Sequence, residues 1–211
     1  MTHRGHSALT IYLDPAESRY SNMDRETLNL SDLRMDLAFR SGWNIGFFVA
    51  GLVLWIGILI TNLIVPIETG RIIWIALTFG VLPVAVLISK LVEADPFCGD
   101  NPLGQLVGYT HMSVVSLSLP IIIITAIYNP HIQLLAMAIL YSIDFYVMSW
   151  AFGSVVFGLH AAARTVLVTV IWVALPESRL TLIPIVVATF YLGTVLLLPI
   201  ARRRWIRRND A

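Results

Sequence analysis

Six apolar runs of membrane-spanning length dominate this sequence, and they leave the chain one general way to fold. They lie near residues 43–65, 72–92, 105–127, 131–149, 152–174 and 180–201, each close to the ~20 helical residues that cross ~30 Å of hydrocarbon. Lipid offers a backbone no hydrogen-bond partners, so runs of this kind must satisfy their own amides as helices. With 57% hydrophobic and 13% charged residues among 211, no soluble core could hide the apolar side chains, and lipid must solvate many of them. The expected fold is all-α: a polytopic transmembrane helical bundle of six spans. Pro66, Pro96, Pro102, Pro130 and Pro176 punctuate the turns. The weakest boundary, residues 149–154, has only Gly153 and two serines to break the helix. One span followed by a buried re-entrant piece is the alternative there.

The chain divides into a cytoplasmic segment over residues 1–41, a transmembrane domain over 42–201 and a basic cytoplasmic tail over 202–211. The first segment lacks an apolar stretch with a small-residue cleavage site, so the first span is expected to act as insertion signal. Residues 1–27 read as disordered or loosely attached. Leu30, Leu33 and Leu37 recur at helical spacing behind the cap candidates Ser31 and Asp32, which predicts a short amphipathic helix near 30–41 on the inner membrane surface.

Orientation follows from the basic residues. Arg4, Arg19, Arg25, Arg34 and Arg40 precede the first span, and Arg202, Arg203, Arg204, Arg207 and Arg208 follow the last, against Arg71 and Arg179 in the intervening loops of the other side. Both termini are expected in the cytoplasm, which requires an even number of spans. Trp43, Trp74, Trp150, Trp172 and Trp205 fall at predicted helix ends, as interfacial tryptophans do, and only Trp55 lies within a span.

Against this apolar background, His111, Asp144, His160 and Arg164 stand out. A charge at the bilayer centre costs at least ~2.5–3.5 kcal/mol, so such groups face a bundle interior or a wet cavity. The six-span topology places His111, Asp144 and His160 roughly 8–12 Å from the inner side, with Arg164 about one turn deeper. His111, Ser118 and Thr125 repeat at seven-residue intervals; Tyr141, Asp144 and Met148 share a face; His160 precedes Arg164 by four residues. A polar seam between spans three, four and five is the economical reading. Gly104 with Gly108, and Gly158 with Ala162, would let helices approach closely there, and Pro83 and Pro120 would kink spans two and three beside it.

Each group has a structural reading as well. Asp144 and Arg164 could be a buried ion pair that sets helix register, and the histidines could be neutral imidazoles bonded to hydroxyls or carbonyls. The functional reading makes His111, Asp144, His160, Arg164, Tyr141 and Ser118 a ligand or proton site, with Arg164 holding an anionic group or Asp144 and the histidines responding to pH. A metal held by His111, Asp144 and His160 is a weaker candidate, because no HExxH-like pair fixes ligand spacing. Asp144, His160 and one of Ser142, Ser149 or Ser154 could be drawn as a hydrolase triad, but no GxSxG elbow accompanies them. No cofactor is named by any motif. The single cysteine, Cys98, excludes an intrachain disulfide and reads as an incidental thiol. Loop 93–104, with three carboxylates, reads as a solvated turn in which Lys90 and Glu93 pair, and a divalent cation or a partner surface is the alternative. Nothing in the charge pattern points to nucleic acid.

The run Asp32-Leu33-Arg34-Met35-Asp36-Leu37-Ala38 before an aromatic- and glycine-rich first span, followed by Asn101-Pro102-Leu103-Gly104 opening span three, resembles an uncharacterised family of small bacterial integral membrane proteins designated only as a domain of unknown function. The likeness covers most of residues 30–175. It implies a helical bundle in the bacterial inner membrane and supplies no activity or catalytic residue. The leading expectation is a buried His/Asp/Arg site open to the cytoplasmic side, for binding or transport of a small molecule, ion or proton. A non-catalytic structural or partner-binding subunit and a membrane-embedded, metal-assisted enzyme are the alternatives. The partners expected are the lipid bilayer and anionic lipid at the basic tail, with room left for a homo-oligomer.

Overall fold

The structure, a computed structural model, describes residues 29–209, with side chains through residue 203. The expectations for residues 1–27 and for the side chains of Arg204, Trp205, Arg207 and Arg208 fall outside the described residues. Helix α1 spans Leu30–Arg40, α2 Ile45–Ile64, α3 Ile67–Leu91, α4 Pro102–Tyr128, α5 Pro130–Leu140, α6 Asp144–Ala151, α7 Val155–Ala174 and α8 Arg179–Asn209. Six segments are long and apolar enough to cross a membrane: Gly42–Ile64, Ile67–Leu91, Pro102–Tyr128, Pro130–Ala151, Val155–Ala174 and Pro176–Arg203. The chain is therefore an all-helical membrane protein, and Leu63, Ile64, Leu91, Leu117 and Val155 stand exposed on its flanks, as a bilayer environment allows. Pro83 and Pro120 lie inside α3 and α4, which continue through them.

The uncertain boundary between the fourth and fifth spans is a tight turn between two separate helices. Gly153 takes the left-handed φ of +60°, Ser154 N–H returns to Ser149 O, and Ser149 Oγ donates to Ser154 O. Three residues suffice because glycine reaches that φ without Cβ strain and the serines satisfy the freed carbonyls.

Helix α2 is the pillar of the bundle, packing on α3 along one side and α8 along another. Small residues make this approach feasible. A Cβ at Gly46 would lie 2.6 Å from the Ala85 carbonyl oxygen and overlap Ser89 Oγ, and one at Gly51 would overlap the Tyr191 ring. The expected glycine pair on span three works differently. A Cβ at Gly104 would sit 2.6 Å from Cys98 O, so this glycine admits its own preceding loop, while nothing approaches Gly108 within 4 Å. Gly158 does face another helix, with Ser149 Oγ 3.1 Å from its Cβ position.

The tryptophans also depart from an interfacial belt. Trp150 is exposed, but Trp43, Trp55 and Trp74 are almost wholly buried. Trp43 stacks on Phe152 with ring centroids 6.0 Å apart, so here tryptophan volume fills the core.

Helix α1 forms where its leucine spacing predicts, with the cap at Asn29, two positions before the nearer candidate Ser31. Asn29 accepts from Ser31 N and Asp32 N, while the Asp32 carboxylate accepts from Asn29 N, a reciprocal capping box. Instead of lying on a membrane surface alone, α1 buries Met35, Leu37 and Ala38 against the end of the bundle that also carries loop 92–101 and the turn at Gly153. Arg34 Nη2 donates to Trp150 O at 2.9 Å, and its guanidinium sits 5.5 Å from the Trp150 ring centroid. Arg202 lies over Phe39 at 5.0 Å, so the start of the described chain and the end of α8 share that side.

Candidate functional site

The fourth span is broken, and the break creates the site. Helix α5 ends at Leu140 and α6 begins at Asp144, with no proline or glycine between them. The intervening Ser142 turns its hydroxyl to Ile139 O and lies 3.1 Å from Thr165 Oγ1 on α7, so hydroxyls absorb the interrupted backbone ladder. Asp144 thereby occupies the first turn of α6, where the positive end of the helix dipole favours a carboxylate.

His111 Nδ1 on α4 lies 2.8 Å from Asp144 Oδ2. Asp144 is only 6% exposed, and its second oxygen, Oδ1, has no hydrogen-bond partner. The His111 ring meets Phe47 of α2 edge-on at 4.7 Å. Above this pair opens a cavity of about 60 Å³ bounded by α2, α3, α4, the α5–α6 segment and α8. His111, Tyr141, Asp144 and Met148 line it, together with Asn44, Phe47, Thr78, Phe145 and Tyr191. Its walls are mostly apolar and its few polar groups converge, as in small-molecule sites generally. Pro96 and Phe97 border it at the end near α1, while Leu82 and Met112 border it between α3 and α4, which meet only sparsely. The shared face expected for Tyr141, Asp144 and Met148 is thus the cavity-lining face. Ser118 is buried further along α4 and is not part of this lining.

Arg164 and His160 form a second, separate cluster behind the cavity wall. Arg164 is fully buried, with its guanidinium 5.2 Å from the Phe145 ring centroid and 5.4 Å from that of Tyr191. Its Nη1 lies 3.3 Å from His160 Nε2, while Nε and Nη2 lack partners. A guanidinium can only donate, so His160 Nε2 accepts, and the imidazole proton belongs on Nδ1. That nitrogen is 2.6 Å from Thr194 Oγ1, whose own hydroxyl donates to Phe190 O. His160 is therefore held as a neutral tautomer between two partners. Its ring also borders an open, lipid-facing groove between α7 and α8 with Thr189 and Thr194.

The four intramembrane groups accordingly separate into His111 with Asp144 and His160 with Arg164. Among the described residues, Asp144 and Arg164 make no ion pair within 4.0 Å; the Phe145 and Tyr191 rings touch the guanidinium and also line the cavity. No cluster of three or more His, Cys, Asp or Glu suited to a metal occurs among those residues, and His160 faces Thr194 and Arg164 instead of joining the other two. A double-mutant cycle reads this arrangement directly. His111→Gln with Asp144→Asn should show a coupling of about 1–2 kcal/mol in detergent stability, and Asp144→Asn with Arg164→Gln roughly half of that or less. A larger coupling for the second pair would place the two charges in contact.

Asn44 was invisible as a site residue because it sits in an unusual turn. Gly42, Trp43 and Asn44 all have positive φ, at 57°, 57° and 59°, a run that costs non-glycine residues roughly 1–2 kcal/mol each. Buried packing holds it in place: Trp43 against Phe152 and Phe157, and Asn44 at 4% exposure. The only signal in the sequence was an amide at the start of an otherwise apolar run.

At the α1 end, the two segments that carry the family resemblance meet. Asn101 Oδ1 accepts from Leu103 N and Gly104 N to cap α4, and its Nδ2 donates to Leu33 O and Asp36 Oδ2 on α1. Arg40 bridges Asp36, Asp95 and Asp100, the last at 2.7 Å, and these acids, Asp100 first, hold its guanidinium more firmly protonated than usual. Loop 92–101 is thus a fastened strap. Burial pushes the Cys98 thiol up to about 12, so it stays protonated and unreactive.

A family model described as a family of unknown function (DUF7010) matches residues 30–201. No curated protein and no solved structure matches the chain.

Proposed function

Since the chain belongs to this family of unknown function, whose description names no reaction, we propose from the site itself that the protein binds a small molecule within the membrane, in the cavity whose floor is the His111–Asp144 pair. The observation that carries this reading is the 2.8 Å contact between two ionisable groups at the base of an apolar cavity, with Asp144 Oδ1 left without a partner. Packing serves stability when polar groups are satisfied; a lone buried acceptor beside empty space is suited to an incoming donor. The mouth bordered by Phe97 lies at the α1 end, which the arginine distribution assigns to the cytoplasm. Arg164 and His160 support the wall through Phe145 and Tyr191 and do not contact the ligand.

The second reading, a structural subunit, draws on the Arg164–His160 cluster, in which Arg164 is fully buried against the Phe145 and Tyr191 rings and His160 borders only the groove between α7 and α8 among the cavities described. Cysteine accessibility separates the two. In a Cys98→Ser background, Val107→Cys, nearly buried yet cavity-lining, should react with a small water-soluble thiol reagent much faster than Leu117→Cys on the lipid face. Equal, negligible rates at both positions would leave a dry seam and favour the structural subunit.

A further inference from the structure

We infer that the ligand class of this cavity is a primary alkylammonium: a small cation whose donors face Asp144 and Asn44 and whose tail leaves between α3 and α4. This rests on the small-molecule reading of the cavity. The first support is the donor–acceptor balance of the lining. Asp144 Oδ1, Asn44 Oδ1 and the Tyr141 hydroxyl are all buried without partners, and all three residues line the cavity. When His111 Nδ1–H donates to Asp144, its Nε2 is a further acceptor. Three acceptors against one hydroxyl, which can donate or accept, favour a ligand rich in N–H donors, and a primary ammonium has three.

The lining brings these acceptors to one cavity. Asn44 lies three residues before Phe47, and Phe47 packs against His111, the partner of Asp144. The left-handed backbone at Asn44 is what turns its amide to the cavity instead of into the α2 ladder, and such strain persists where surrounding packing over-determines it.

Charge and size select the cation further. Asp144 supplies negative charge at contact distance, whereas Arg164 stands beyond the Phe145 and Tyr191 rings. Both interactions fall off with distance, so the nearer carboxylate dominates. Phe47, which also lines the cavity, adds an aromatic surface that favours a cation. A volume of about 60 Å³ accommodates an ammonium head and its first carbons but not a drug-sized molecule. The rest of an alkyl tail would leave beside Leu82 and Met112, where α3 and α4 meet only sparsely and Met112 is half exposed.

The test titrates butylammonium, 1-butanol and butyrate against the full chain in detergent, reading the rise in Tm and repeating each series with Asp144→Asn and Asn44→Gly. Glycine at 44 removes the amide yet keeps the left-handed backbone accessible. Butylammonium should stabilise at about tenfold lower concentration than 1-butanol, butyrate should do nothing, and Asp144→Asn should erase the difference. Equal potency of amine and alcohol would overturn the cation and leave a neutral small-molecule site standing. Asp144-dependent stabilisation by sodium ion alone at matched concentration would overturn the alkylammonium in favour of an inorganic cation. Should no compound act while Val107→Cys reacts, the ligand class is wrong; should Val107→Cys also be unreactive, the small-molecule site itself falls.

Discussion

Asn101→Ala should lower the stability of the protein in detergent by about 2–3 kcal/mol. One amide does two jobs. Its oxygen is the N-cap of α4, bonded to Leu103 N at 2.8 Å and Gly104 N at 3.4 Å, and losing such a cap costs ~1 kcal/mol. Its Nδ2 joins α1 to the bundle through Leu33 O at 2.9 Å and the Asp36 carboxylate at 2.8 Å. Asn101 is 2% exposed, whereas Leu33 and Asp36 are only partly buried and Asp36 keeps Arg40 as a partner, so losing the two Nδ2 bonds costs a further ~1–2 kcal/mol. Limited proteolysis should show cleavage within residues 30–40 rising together with the fall in Tm. A Tm within one degree of the parent would mean that α1 is held by its apolar face, Arg34 and Arg40 without Asn101. Asn101→Asp keeps the cap but sets an anion against Asp36, and should release α1 selectively.

Gly46→Val should cost about 3 kcal/mol or more, or abolish folded expression, because the obstacle is backbone. A Cβ there lies 2.6 Å from the Ala85 carbonyl oxygen and 3.2 Å from Ser89 N as well as against Ser89 Oγ, and a helix backbone cannot rotate aside as a side chain can. Helices α2 and α3 would have to separate along their principal contact. Gly193→Ala is the control, since nothing lies within 4 Å of its Cβ position; it should be neutral or stabilising by up to ~1 kcal/mol through helix propensity. Comparable losses from both substitutions would show that glycine content as such, not this crossing, is what matters.

How far the sequence could be read depends on what kind of information each feature needs. Hydrophobic length and turn residues place six spans well, because lipid imposes a one-dimensional constraint that composition satisfies directly. Depth is readable for the same reason, and His111 and Asp144 do meet at one level. Direction around a helix axis is not. Asp144 and Arg164 lie on adjacent segments at similar depth, and a shift of helical phase decides whether they touch or stand on opposite sides of Phe145 and Tyr191. The break at residues 141–143 lacks proline and glycine and depends on Thr165, which is distant in the sequence. Trp43 reads as an interfacial anchor by position and is instead a core residue that braces the strained turn presenting Asn44. Gly46 and Gly51 sit in an aromatic-rich run where nothing marks which helix they admit. Gly104 and Gly108, spaced like a dimerisation motif, serve a loop and a cavity.

The fastening of α1 also sets an order of assembly. Its polar partners lie 55 to 116 positions away, from Asp95 and Asp100 in the loop before the third span, which bind Arg40, to Asn101 and the Trp150 carbonyl. As the chain emerges from the ribosome, α1 is made first, yet its first partners follow only after the second span, and Arg34 waits until the fourth is complete. Helix α1 is therefore a late closure on an already inserted bundle, a latch for a finished product. A nascent chain arrested before residue 95 should hold it undocked and open to protease, and one extended beyond residue 154 should protect it.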